Sequence, residues 1–108
     1  MNIGQIAKMA QQMQTQMAQA QEELKETTLE ATAGGGAVRI VITGAQEVRS
    51  VEIDPSAVDP DEVEMLQDLV MTAINDAIGR SKELERERMG RIAGGMGLPG
   101  MPGLPGFG

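Results

Sequence analysis

Five of the nine lysine and arginine residues fall close together near the end of the chain, at Arg80, Lys82, Arg86, Arg88 and Arg91. Cations spaced in this way can touch phosphate oxygens, contacts that place a protein on a nucleic-acid backbone without reading its bases. Lys8 joins them if the first and last segments fold side by side. The same residues have a simpler use. Glu83 lies three residues before Arg86 and Glu87 four before Arg91, the spacing of weak ion pairs on a solvated helix. A net charge of −7 also opposes approach to a polyanion, because backbone binding depends on cations displacing condensed counterions. The charge is unevenly spread. Residues 1–49 hold four bases and five acids, residues 50–79 eight acids and no base, and residues 80–108 five bases and three acids. Local potential governs encounter more than net charge does.

Other chemistries are poorly served. With no cysteine and no histidine, the chain lacks thiol nucleophiles, zinc thiolates and the commonest general base and transition-metal ligand. Gly34, Gly35 and Gly36 are not followed by the lysine and hydroxyl of a phosphate loop and read as a turn. Asp54, Asp59, Asp61, Glu62 and Glu64 lack the spacing of a calcium loop and read as helix caps and solvated surface. Asn75 and Asp76 are polar groups inside a helix, suited to structure or a dimer contact. The one aromatic residue, Phe107, provides no platform for stacking bases. No catalytic residue, cofactor or metal site is expected, and the chain reads as a non-enzyme.

The elements that carry these residues follow from periodicity. Ile3, Ile6, Ala10, Met13, Met17, Ala20 and Leu24 alternate spacings of three and four, which makes one apolar stripe on a helix from about Asn2 to Thr27. This methionine and alanine stripe suits packing within the fold or dimer, or an adaptable partner face. Thr28 to Ala33 is a candidate first strand, with Leu29, Ala31 and Ala33 on one side. Val38, Ile40 and Ile42 alternate with Arg39, Val41 and Thr43 in a second. For Val51 and Ile53 of a third strand to share their face, the connection must hold an even number of residues. A four-residue loop, Gly44 to Glu47, meets this, setting Val38 opposite Ile53 and Ile40 opposite Val51. Val41 and Val48 then fall on the second face.

Asp59, Pro60, Asp61 and Glu62 have the order of an N-cap, a first-turn proline and two acids that favour a helix dipole. The second helix starts there, carries Val63, Leu66, Val70, Ala73, Ala77 and Leu84 on one stripe, and is expected to stop at Gly90. The fold class is therefore α+β: helix, three-stranded antiparallel sheet, helix. The domain is residues 1–90, and residues 91–108 form a flexible tail rich in Gly, Met and Pro. The helices would be roughly 37 and 45 Å long, whereas a compact domain of this size has a radius of gyration near 12 Å. They must project beyond the sheet, and antiparallel pairing would join the start of one to the end of the other as a single arm. So small a core favours a homodimer. No membrane helix or secretory signal is apparent, and a cytoplasmic location is expected.

The helix KMAQQMQTQMAQAQEEL, the central VRIVITGAQEVRSVEIDPS, the later MLQDLVMTAINDA and the Gly/Met/Pro tail occur in an order that resembles the YbaB/EbfC family of bacterial nucleoid-associated proteins. The resemblance implies a tweezer-like homodimer that binds double-stranded DNA without strong sequence preference and belongs to the nucleoid. Its helical arms, with Lys8, Arg80, Lys82, Arg86, Arg88 and Arg91, would touch the DNA backbone. Family members often carry lysines on these arms where this chain has Gln5, Gln11, Gln12, Gln14 and Gln16. The competing expectation is a homodimeric scaffold that binds a protein partner through its Met-rich helix and acidic centre.

Overall fold

The computed structural model describes residues 2–95. The expected tail lies mostly outside them, from residue 96 onward. Helix α1 spans Ile3–Glu26 and starts at a capping box, in which the Asn2 side chain accepts from the Gln5 backbone N–H and the Gln5 side chain accepts from the Asn2 N–H. Strands β1 (Thr28–Ala33), β2 (Val38–Thr43) and β3 (Val48–Ile53) form one antiparallel sheet in chain order. Two 3₁₀ turns, Pro55–Ala57 and Pro60–Glu62, lead into helix α2, Val63–Gly95.

Alternation decides which sheet face is buried. Val38, Ile40 and Ile42 are fully buried, and burial of each such side chain contributes roughly 1.5–3 kcal/mol. They pack with Ala31, Ala33, Ala73 and Ala77. Alanines at the middle of α2 let the helix lie close on β1 and β2, the strands it covers. The glycines Gly34, Gly35 and Gly36 all have positive φ (65°, 68°, 98°) and make the β1–β2 turn, a backbone that favours glycine.

The pairings Val38↔Ile53 and Ile40↔Val51 are as expected from the loop arithmetic. Closer to the loop the register shifts by one, so Ile42 pairs with Val48 and Arg49 is the extra residue of a bulge. Gln46, at φ 61°, donates its N–H to the Thr43 carbonyl, and Thr43 donates to the Glu47 carbonyl at 2.8 Å. This is a short loop ending in a left-handed residue, which a bulge commonly follows. Val48 is therefore not on the second face with Val41; the bulge sets it opposite Ile42. Although Val51 and Ile53 share the register of the core residues, β3 is exposed along its whole length because α2 does not reach over it.

Gly90 does not end α2. The helix continues for five more residues, and Ala93, three residues beyond it, is buried. One interior glycine costs only about 1 kcal/mol relative to alanine, less than packing beyond it can supply. The first half of α2 lies on the sheet. The second leaves it at Ser81 and runs beside α1, whose Leu24 is anchored at the same end of the sheet by hydrogen bonds from the Gly44 N–H to the Leu24 and Thr27 carbonyls, both 2.9 Å. Two helices that share this anchor and touch beyond it must run antiparallel. The molecule measures 70 × 27 × 16 Å, so the arm projects as the helix lengths require.

Candidate nucleic-acid interface

The joint between sheet and arm holds Thr43 and Ser81, the two fully buried polar residues among the described residues. The Ser81 hydroxyl donates to the Thr43 carbonyl at 2.6 Å and accepts from the Gln46 backbone N–H (3.1 Å) and side-chain amide (2.9 Å). The Thr43 hydroxyl accepts from the N–H groups of Ala45 and Glu47. With every partner satisfied, the node fixes α2 against the β2–β3 loop at the point where the arm begins. Sequence inspection missed Ser81. Its one signal was a small hydroxyl on the buried stripe, four residues after Ala77.

Beyond the joint, Arg80, Lys82, Arg86 and Arg91 stand exposed on α2, while Arg88 is half-buried. They do not form one patch. At about 100° per residue, Arg80 and Arg91 point one way, Lys82 and Arg86 nearly the opposite way, and Arg88 between, on the side of Ser81. Three are held by acids of their own helix: Arg80 by Asp76 at 2.9 Å, Arg86 by Glu83 at 2.6 Å and Arg91 by Glu87 at 3.1 Å. All three pairs are well exposed, so each contributes little to stability. Among the described residues, Lys8, Lys82 and Arg88 have no ion-pair partner. Lys8 is exposed on α1 opposite the apolar stripe, and hence faces away from α2 rather than toward the bases there.

The acidic centre is occupied by local structure. Asp54 accepts from the Ser56 N–H and hydroxyl, both at 2.9 Å, and these bonds hold its carboxyl below the ordinary value. Asp59 accepts from the Asp61 N–H at 2.9 Å. On the outer sheet face Arg39 bridges Glu52 and Glu30, and the bond to Glu52 is the main cause that raises its pKa. No helix among the described residues is long and apolar enough to cross a membrane.

The described residues thus form a small α+β domain with a projecting, cation-bearing helical pair. Residues 1–96 match the YbaB/EbfC DNA-binding family, and the chain belongs to it. It is similar to a nucleoid-associated protein of Chloroflexus aurantiacus, 53% identical over 89% of this chain and 96% of the relative. A nucleoid-associated protein of Acetivibrio thermocellus is 50% identical over 89% of this chain and 85% of its own length. Among solved structures, an uncharacterised protein of Helicobacter pylori superposes with a TM-score of 0.71 at 26% identity, covering 81% of this chain and 91% of that one. The family is one of DNA-binding proteins and not of enzymes.

Proposed function

We propose that the chain forms a homodimer that binds duplex DNA through backbone charge and shape, with little sequence preference, and so alters DNA conformation in the nucleoid. The observation that carries this is the antiparallel arm, which stands clear of the sheet and carries Lys8 and Lys82 exposed, and Arg88 half-buried, without acidic partners. Family membership and the names of the relatives support it. The dimer is supported by apolar surface that a lone chain leaves bare. Ile3 is 84% exposed and Ile6 53%; Val48, Val51 and Ile53 are uncovered on β3, and α2 carries an apolar hollow lined in part by Leu66, Val70, Met71 and Ile74.

Sedimentation at micromolar concentration should give twice the chain mass, and a well-folded monomer would end the dimer proposal. For DNA, the test is a duplex titration across salt concentrations. The logarithm of affinity should fall by about 0.9 per phosphate contact for each tenfold rise in salt. If only the three unpaired bases of each protomer make such contacts, the dimer slope is about −5; if all six basic candidates do, it is about −11. Shuffled duplex sequences should bind alike. Absence of binding at low salt by the folded dimer would transfer the function to a protein partner, for which the Met-rich α1 and the acidic residues 50–79 are the alternative surface.

A further inference from the structure

We propose that the outward side of α1, Lys8, Gln12, Thr15 and Gln19 flanked by Gln5 and Gln16, is part of the DNA-facing surface, and that its glutamine amides hold phosphate oxygens by uncharged hydrogen bonds. This rests on the DNA-binding proposal and specifies how an acidic protein could carry it out. Residues 1–21 contain no Asp or Glu, and the first turn of α1 carries no acid. Among the described residues, the other charged stretches do. Residues 50–79 are acidic without a base, the bases of α2 alternate with Glu83, Glu85 and Glu87, and Arg39 on the sheet is engaged by two glutamates. A polyanion approaching this molecule meets least repulsion along α1.

The geometry of that side suits an extended ligand. Lys8, Gln12, Thr15 and Gln19 follow a three-and-four spacing opposite the apolar stripe, and all are exposed. Lys8, Gln11, Gln12, Thr15 and Gln16 line one shallow hollow, and Gln5, Lys8, Met9 and Gln12 another. Gln5, Gln12 and Gln19 repeat every seven residues, about 10.5 Å apart, so the row spans about 21 Å, close to six base pairs. Each amide offers two N–H donors to a phosphate oxygen. The positive end of the helix dipole lies at the same tip as Lys8. Amides neutralise no phosphate and release no counterion. Their contribution should therefore be the same at every salt concentration.

The experiment compares the full chain with Gln12, Gln16 and Gln19 all changed to alanine, titrated against one 20-base-pair duplex at several salt concentrations. Alanine is a better helix former than glutamine, so a thermal melt should show the variant folded. Loss of three neutral hydrogen bonds should weaken binding roughly tenfold or more, equally at each salt concentration, leaving the slope unchanged. Changing the same residues to lysine should steepen the slope by up to about 0.9 per residue in each protomer. Unchanged affinity in the alanine variant, with the parent still binding, would overturn the glutamine surface while leaving the DNA proposal standing. A slope that flattens on alanine substitution would also overturn it, since the amides would then be acting through charged neighbours. If the parent binds no duplex, the DNA proposal fails first.

Discussion

Gly44→Ala isolates the contact that joins α1 to the sheet. Gly44 does not have a positive φ, so alanine meets no backbone penalty there and any cost is steric. The added Cβ would lie 2.6 Å from Leu24 Cδ2, 3.2 Å from the Leu24 carbonyl oxygen and 3.3 Å from Leu24 Cβ. A side-chain tip can often swing aside, but Leu24 is 1% exposed and has nowhere to go. Its carbonyl accepts from the Gly44 N–H at 2.9 Å, so relief by backbone movement stretches that bond. Overpacking of this kind costs about 1–3 kcal/mol, and in a domain of this size each kcal/mol lowers Tm by about 4–8 °C. Thermal melts followed by circular dichroism at one fixed protein concentration should show a loss of roughly 5–20 °C. Gly90→Ala is the counterpart, because nothing lies within 4 Å of its added Cβ. Helix propensity alone should then stabilise it by about 0.5–1 kcal/mol. Equal melting of Gly44→Ala and the parent would refute the close packing of Leu24 on Gly44.

Ser81→Ala removes a hydroxyl shared by the Thr43 carbonyl and the Gln46 amides, which keep their bonds to each other and to the Gly44 carbonyl, and should cost about 1 kcal/mol; an unchanged denaturant midpoint would mean the node carries no stability. Met17→Asp puts a charge into the half-buried stripe of α1 and should lower Tm sharply, whereas an unaltered melt would place Met17 in solvent. Asp54 has a depressed pKa in the folded state, so its contribution is present above the unfolded value and is lost as pH falls through the folded one. Below about pH 4, therefore, the stability difference between the parent and Asp54→Asn should shrink, and equal acid and neutral differences would contradict the assigned hydrogen bonds.

The strands were legible because two simple periods coincide. Val38, Ile40 and Ile42 alternate, and even-number loop arithmetic placed Ile53 and Val51 opposite them, as observed. That arithmetic could not detect the bulge at Arg49, because a left-handed Gln46 carries no glycine or asparagine signal, and so it misplaced Val48. The same limit applies at Gly90, where a residue type that commonly stops helices is overruled by packing at Ala93, a tertiary fact. The basic residues of the arm were visible as a cluster in sequence. Their scatter around α2 followed from its 3.6-residue period, but which of them stay unpaired depends on rotamers that spacing alone does not determine.

The arm and the sheet carry different demands, and α2 meets both with one continuous helix. Over the sheet its inward side is small, with Ala73 and Ala77 fully buried, so the helix can approach β1 and β2 closely. At Ser81 the inward residue becomes polar and bonds the β2–β3 loop, while Leu24 and Gly44 fasten α1 to the other side of the same loop. The loop is thus clamped between both helices. A hydrophobic contact at that point could slide along the helix with little loss, but the Ser81 hydroxyl is satisfied at only one register of α2. Both halves of the arm consequently leave the sheet from one fixed point, about 28 Å along α1 from the Gln5 end of the glutamine row. Any movement at the loop is magnified along that lever, so a polar node of three residues controls where the outward face of α1 lies relative to the rest of the molecule.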